Sequence, residues 1–327
     1  METKTVQDET TTVVVISEEI KAKAQDILLA HNLNFNISKR KLNDEEGNNS
    51  GYFGLWNDLL GKCIHTVKDG YTVSQNKDII EVVLAGIAPF GDKLRVTKAG
   101  SINEGRKVFV QIGIEGASIV GDNEYHDTVE RFITVIDSND GSVSLSVGIG
   151  DKTMSCQNQF WRFYASGSKF RHTATIEKKI KELPKLIEAA LAQSIAQAAV
   201  YQEMFNFKLT PESHVVDALV KHLLGYDKYF TSTTDLSEKS TRAINKMDLL
   251  YETIYQEIAE KGWNLWGLHS GTTRFTTFNN SAPKRDNGRT ESLMLGGGYQ
   301  LNQQSLAFCY KKLGKAETVS TKSIAAE

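Results

Sequence analysis

Residues 155–173 read SCQNQFWRFYASGSKFRHT and place aromatic rings, cations, amides, a cysteine and a histidine in one short stretch. Side chains of an extended chain alternate between two faces, so Phe160, Arg162 and Tyr164 share one face. Trp161 belongs to the opposite face, which can pack into a core. Because cations track phosphates and rings stack on bases in single-strand binders, this pattern favours contact with single-stranded nucleic acid.

The interface predicted from this pattern combines three kinds of side chain. The cations expected to neutralise phosphates along a sheet groove are Arg95, Arg106, Lys107, Lys152, Arg162, Lys169 and Arg171. Trp161 or Tyr164 is expected to stack on bases. Gln157 and Asn158 are expected to hydrogen-bond the backbone or the base edges. Two plainer interpretations stay open: Trp161 is a core residue with the cations at solvated edges, and the two amides satisfy buried backbone groups.

Charge is concentrated locally and not spread over the protein. The chain of 327 residues has a formal net charge of −2 and a pI near 6.4, unlike a generally basic nucleic-acid binder. Residues 152–185 nevertheless contain eight Lys or Arg and two Glu, and residues 92–107 contain five Lys or Arg. Salt limits the reach of this charge to roughly 8–10 Å, so a ligand must lie directly on the basic surface.

Catalytic alternatives find less support in residue spacing. Cys156, His172 and Asn158 are the residue types of a thiol protease, but Cys156 falls in a predicted strand and not at a helix N-terminus, which would lower its pKa. The seven histidines form no HExxH pair, and there is no GxxxxGK[ST] loop, so we expect no metal and no cofactor. An enzyme without a familiar signature stays an open alternative.

Cysteine spacing and hydropathy are typical of a cytoplasmic protein. Cys63, Cys156 and Cys309 form no CxxC pair, which disfavours disulfides and a zinc site. No apolar run approaches the roughly 20 residues of a membrane helix, and METKTVQDETTT lacks the apolar centre of a signal peptide. We therefore expect a cytoplasmic protein with no membrane partner.

Hydrophobic periodicity and turn residues divide the chain into four parts. They are a polar N-terminal arm over residues 1–55, a core domain over 56–205, a helical region over 206–313 and a flexible tail over 314–327. Alternating segments around Gly-containing turns predict hairpins in the core domain, pairing 63–67 with 71–74, 93–102 with 106–114, and 131–137 with 142–149. Residues 153–165 are expected to be the last long strand.

The helical pattern completes the fold prediction. A helix over 77–87 is expected to cover the sheet, and a longer one over 176–205 to be interrupted near Pro184. Gly225 and Gly262 are expected to end two later helices. The fold class predicted is α+β: an antiparallel β-meander sheet with one covering helix, followed by a helical C-terminal half. Because the Ala-rich segment 187–205 has more apolar surface than one face needs, we also expect a homo-oligomer.

Seven motifs, in this order, resemble a known family. They are YTVSQNKDIIE (71–81), AGSINEGRKVFV (99–110), DSNDGSVSLSVG (137–148), SCQNQF (155–160), RHTATIEKKI (171–180), LWGLHSGTTRF (265–275) and RTESLMLGGGYQLNQQSLAF (289–308). In these segments the chain is similar to the phage/plasmid-like protein family, a domain of unknown function common in phages and mobile elements. The segment WRFYASGSKF and the N-terminal arm depart from that likeness.

The resemblance implies a role in phage DNA metabolism in the cytoplasm of a bacterial host. A β-rich unit with basic strands followed by a helix also looks like the single-strand annealing proteins of phage recombination, although a shared architecture does not assign a function. We therefore expect a non-catalytic single-stranded DNA-binding protein whose subunits lie side by side to promote strand annealing. A phage protein-interaction or regulatory factor is the first alternative, and an unrecognised enzyme is the second.

Overall fold

The computed structural model describes residues 15–155, 157–163, 169–229 and 240–315. These residues contain ten strands: β1 (Ile37–Asn43), β2 (Asn49–Asn57), β3 (Lys62–Val67), β4 (Leu94–Ile102), β5 (Lys107–Ile114), β6 (Ser118–Gly121), β7 (His126–Ser138), β8 (Leu145–Thr153), β9 (Gln159–Phe163) and β10 (Lys169–Phe170). They also contain nine α-helices: α1 (Glu18–Ala30), α2 (Asn76–Ile87), α3 (Ile176–Ile180), α4 (Leu183–Asn206), α5 (Val215–Leu224), α6 (Thr241–Lys261), α7 (Leu265–Arg274), α8 (Gly288–Met294) and α9 (Gly297–Lys312). A π-helical turn, Phe275–Asn279, follows α7.

The strands form two antiparallel sheets. The small sheet has the order β1-β2-β3, and the large sheet has the order β10-β8-β7-β5-β4, with β6 paired to β7 and β9 paired to β8. Antiparallel sheets in the N-terminal half and helices in the C-terminal half confirm the predicted α+β class. The predicted hairpins β4–β5 and β7–β8 are confirmed as well.

One predicted hairpin, 63–67 with 71–74, is wrong. A turn does form, since the Tyr71 N–H donates to the Lys68 carbonyl at 3.2 Å. The next N–H, of Thr72, donates to the carbonyl of His172 at 3.1 Å, so the chain leaves β3 instead of pairing with it. β3 pairs with β2. The residues that the sequence pattern assigned to a polar arm form α1, β1 and most of β2.

Helix ends follow the signals in the sequence. Pro184 lies in the first turn of α4, where its missing N–H costs no helical hydrogen bond, and α3 ends just before it. α5 and α6 stop at Gly225 and Gly262, which have φ values of 81° and 83°. Glycine suits these positions because a side chain would clash in this left-handed region.

The large sheet is buried on both faces. On one face, Val110 and Ile149 pack in one core with Ile187 of α4. On the other face, Trp161 of β9 packs in a second core with Tyr299 of α9. The cover is thus more extensive than the single helix that was predicted. Because β9 lies between two helical layers, both of its faces are buried, and alternation along the strand does not mark a solvent-exposed face.

Candidate nucleic-acid interface

Trp161 is a core residue and is not exposed for base stacking. Its side chain is 1% exposed, and its indole N–H donates to Thr134 Oγ1 at 3.1 Å. Phe132 meets the indole edge-on, with ring centroids 5.5 Å apart. The Trp161 carbonyl accepts a 2.7 Å hydrogen bond from Gln303 Nε2 of α9. The plainer interpretation of Trp161 fits this structure, because α8 and α9 cover the face that a base would need.

The prediction that Arg162 lies on a solvated face is wrong. The residue is 4% exposed, and its Nη1 donates to Gln197 Oε1 at 2.5 Å and to Tyr310 Oη at 3.5 Å. Burial raises the pKa of the Asp151 carboxyl, and the Arg162 charge opposes this shift. Tyr201 donates to the same carboxylate at 2.7 Å. The charge of Arg162 therefore acts inside a buried network between β8, β9, α4 and α9.

The two amides differ in their environment. Asn158 is fully buried, and its Nδ2 donates to the Ser270 carbonyl at 3.2 Å. Its backbone N–H donates to Thr153 Oγ1 at 3.1 Å. Asn158 thus satisfies buried backbone groups and does not reach a surface ligand. Gln157 is exposed, with a φ of 56°, and its Nε2 donates to the Met154 carbonyl at 2.9 Å.

Lys107 is buried too, and its charge is already compensated. Its Nζ lies 3.3 Å from Glu291 Oε1 and 3.9 Å from Asp140 Oδ2. Arg285 binds the other Glu291 oxygen at 2.5 Å. The prediction that Lys107 neutralises phosphate is therefore not supported by its position. Its neighbour Arg106 is half-buried.

The remaining predicted cations do not form one groove. Arg95 and Arg171 are exposed, and Lys152 is half-buried. Arg95 pairs with Gly113 near the end of β5, whereas Arg106 precedes the first residue of that strand. The six steps from Lys107 to Gly113 span about 20 Å at roughly 3.3 Å per residue. Arg95 and Arg106 thus lie near opposite ends of β5.

Three residues singled out in the sequence lie outside what the structure describes. They are Cys156, Tyr164 and the side chain of Lys169. The stacking role predicted for Tyr164 and the phosphate contact predicted for Lys169 stay predictions.

His172 takes part in a buried cluster with Asp137, Ser74 and Tyr71. Its Nε2 lies 2.8 Å from Asp137 Oδ1, and Ser74 Oγ donates to Asp137 Oδ2 at 2.5 Å. The Tyr71 ring stacks on the imidazole with centroids 4.9 Å apart. The side chains of His172 and Asp137 are both buried, and Asn158, the third residue of the protease interpretation, bonds to Ser270 elsewhere. The cluster joins the segment before α2 to β7 and to the segment before α3.

Stability should depend on pH through His172. Burial alone would lower its pKa, but the Asp137 charge and hydrogen bond, the Thr72 carbonyl and Asp140 together raise the pKa above 6.5. A raised pKa means that the stabilisation is complete below pH 6.5 and is lost as pH rises through the folded-state pKa. We expect the free energy of unfolding to fall as pH rises from 6.5 through the folded-state pKa of His172, measured by urea denaturation at a series of pH values.

The variant His172→Gln is the matched test of this pH effect, because it keeps a hydrogen-bonding side chain without a titrating proton. It should remove most of the pH dependence above pH 6.5. Burial lowers the pKa of His269 to about 3, so that residue affects stability only below this window. An unchanged slope in His172→Gln would show that another group controls the effect.

An aromatic and cationic surface that the sequence analysis missed lies on the small sheet. Tyr52, Gly54 and Trp56 alternate in β2 with Leu55, which is buried in the core, so the three point away from it. Arg40 of β1 pairs with Gly54, and its guanidinium carbon lies 5.1 Å from the centroid of the Trp56 ring. Tyr52 is 48% exposed. We call Arg40, Tyr52, Gly54 and Trp56 the platform.

Gly54 makes room for the indole on the platform. A Cβ at position 54 would lie 2.8 Å from Trp56 Nε1 and 3.1 Å from Cys63 Sγ, closer than ordinary contacts. The missing side chain therefore lets the indole lie against the sheet, with Arg40 above it. A period of two over Tyr52, Gly54 and Trp56 was the available signal, but the Gly- and Asn-rich residues before it favoured a loop.

One end of the platform carries paired charges, and the other end is acidic. Lys62 lies beside the Trp56 end and pairs with Glu104 at 2.7 Å. Asn57 Nδ2 donates to the Glu104 carbonyl at 3.3 Å, which brings the β4–β5 turn with Arg106 against this end of the small sheet. The acidic turn 44–46 lies at the opposite end, between β1 and β2. Asp58 binds Arg40 at 2.8 Å and orients it.

The two sheets and the platform define an α+β protein with an aromatic surface that carries a cation. Among the described residues, no group of side chains is arranged to hold a metal ion. The chain belongs to the family described as Domain of unknown function (DUF932), which matches residues 63–307. This confirms the family expected from the seven motifs. Comparisons with curated proteins and with solved structures gave no match. Within the described ranges, none of the helices is both long enough and apolar enough to span a bilayer.

Proposed function

We propose that the protein binds single-stranded DNA through the platform, without catalysis, and acts in phage or mobile-element DNA metabolism in a bacterial cytoplasm. The observation that carries the proposal is the solvent-facing side of an antiparallel sheet on which Tyr52 is exposed and Arg40 stacks on Trp56. Unpaired bases stack on aromatic rings and on guanidinium planes, whereas bases within a duplex are already stacked on each other. The surface therefore favours a single strand over a duplex.

Charge at the two ends of the platform directs the phosphates of such a strand. At the Trp56 end, Lys62 is already paired with Glu104, and Arg106 lies on the adjoining turn. The acidic turn 44–46 repels phosphates at the other end. A bound strand thus lies with its backbone away from this acidic turn and its bases over Tyr52 and Arg40.

Annealing requires several subunits side by side, since one platform covers few nucleotides. The outward side of α4 supports assembly, because Ile195 is 58% exposed there among small side chains. These are Ala189, Ala192, Ala196 and Ala199, all exposed. A homo-oligomer that buries this side would bring several platforms into one assembly.

Tyr52→Ala should weaken binding of a single-stranded oligonucleotide by about 1–3 kcal/mol, the usual contribution of one stacked base. The fold should survive, because the ring is largely exposed. Fluorescence anisotropy measures the affinity, and thermal melts check the fold. The wild-type affinity should fall with salt, with a log–log slope near −0.7 per phosphate contacted.

Tyr229→Ala is the matched control, because Tyr229 is 60% exposed and lies outside the platform. It should bind as the wild type does. If the wild type binds no single-stranded DNA at low salt, the proposal fails and a protein-interaction role takes its place. Equal losses in the two tyrosine variants would move the site away from the platform.

A further inference from the structure

A groove in the helical half of the protein is lined by two cations and, among the described residues, by no acid. It lies between the first turns of α6 and the segment after the π-helical turn and has a volume of about 510 Å³. Arg242 and Lys246, one turn apart on α6, are the charged residues of its lining, and no Asp or Glu lies among the described residues that line it. Neither cation has an ion-pair partner in the described part of the chain.

The two cations repel each other, and Lys246 is half-buried whereas Arg242 is exposed. Residues four apart on a helix are neighbours, and like charges at this spacing are destabilising. Partial burial lowers the pKa of Lys246, and Arg242 lowers it further. A bound anion would relieve both effects, because it replaces lost hydration and offsets the repulsion.

The opposite wall supplies uncharged polar groups on a fixed frame. Asn279, Asn280 and Ser281 line this wall, and Arg242 Nη2 donates to Ser281 Oγ at 3.4 Å across the groove. Arg289 holds the wall from behind by donating to the carbonyls of Thr276 and Asn280. The backbone that carries these side chains is therefore fixed before any ligand arrives, which reduces the entropy lost on binding.

Tyr226, which follows α5, closes another side of the groove and is fixed to α6. Tyr226 lines the groove, and its hydroxyl donates to the Ala243 carbonyl at 3.1 Å. Leu249 and Phe275 supply apolar lining. The volume exceeds that of a lone phosphate and falls within the range of about 300–1,000 Å³ typical of small-molecule sites.

We infer that this groove binds a phosphate group carried on an organic body of nucleotide size. Arg242 binds phosphate oxygens with its planar guanidinium, Lys246 adds a second charge, and the amides and Ser281 donate to the remaining oxygens. The phosphate can belong to a free nucleotide or to the backbone of a single strand. The inference does not rest on the platform, which is a separate surface.

Calorimetric titration with thymidine, thymidine monophosphate, inorganic phosphate and an oligothymidylate tests the groove. Thymidine monophosphate should bind and thymidine should not, because only the former has the phosphate. Arg242→Ala with Lys246→Ala should weaken phosphate-dependent binding by about tenfold or more, as expected for lost charge-assisted hydrogen bonds. Lys246→Arg should retain most of the affinity because it keeps the charge.

Lys178→Ala with Lys181→Ala is the matched control, because both lysines are exposed on or beside α3. It should leave the titrations unchanged. Binding of the mononucleotide identifies a free nucleotide as the source, and loss of oligothymidylate affinity alone identifies the strand backbone. If the groove variant, folded by thermal melt, binds every probe as the wild type does, the inference is overturned. Tyr52→Ala should leave mononucleotide affinity intact, so failure of the platform and failure of the groove are distinguishable.

Discussion

Arg162→Ala should lower the free energy of unfolding by about 3–5 kcal/mol, as expected when a buried charge loses the opposite charge that compensates it. The variant leaves the Asp151 carboxylate buried and opposed only by the Tyr201 hydroxyl and the more distant Arg131 charge. Oδ1 of Asp151 has no hydrogen-bond partner among the described residues, so it has no neutral donor to replace the lost charge. Urea denaturation of the purified variant measures the loss.

Two further variants separate this charge effect from a simple loss of packing. Asp151→Asn combined with Arg162→Ala should be less destabilised than Arg162→Ala alone, because the unpaired charge is gone. Arg171→Ala should change stability by no more than about 0.5 kcal/mol, since Arg171 is exposed. Equal effects of Arg162→Ala and Arg171→Ala would mean that Arg162 is solvated, as alternation along the strand first indicated.

Local patterns predicted the elements that local chemistry determines. The hairpin β4–β5 depends on a glycine turn between alternating segments, and Gly262 ends α6 with the positive φ that glycine tolerates. Both signals lie within a few residues of the feature they specify. For the same reason the family motifs identified the chain correctly, since each motif is short and contiguous.

Burial on the second face of a strand is not a local property. Arg162 bonds to Gln197, which lies 35 residues away, and to Tyr310, which lies 148 residues away. Alternation gives the direction of each side chain but does not say which helix will cover it. The cationic face predicted for β9 was therefore directed toward α4 and not toward solvent. The platform was missed for a different reason. Its strands β1 and β2 lie mostly in residues 1–55, which the sequence pattern assigned to a polar arm.

The groove at α6 illustrates a third kind of signal. Arg242 and Lys246 are ordinary surface cations in the sequence, at a spacing found on most helices. They differ from other surface cations because Asn280 and Ser281 face them across the groove. Only the fold brings a segment that follows α7 against the start of α6.

Trp161→Ala and Trp56→Ala should have opposite phenotypes. Trp161 is fully enclosed between β9, Phe132 and α9, so its truncation should lower the free energy of unfolding by about 3–5 kcal/mol, as for other large core side chains. Trp56 is only half-buried on the platform, so its truncation should cost less stability. It should weaken single-stranded DNA binding by about 1–3 kcal/mol, because Arg40 loses the ring on which it stacks.

The comparison must be made well below the melting temperature of each variant, where every protein is folded. Under those conditions Trp161→Ala should bind single-stranded DNA as the wild type does, and Trp56→Ala should not. Urea midpoints and anisotropy titrations on the same preparations give the two quantities. If Trp161→Ala weakens binding while it is folded, the large sheet contacts DNA and the platform is not the main site. If Trp56→Ala binds normally, the Arg40–Trp56 stack only stabilises the small sheet, and Tyr52 must supply the stacking by itself.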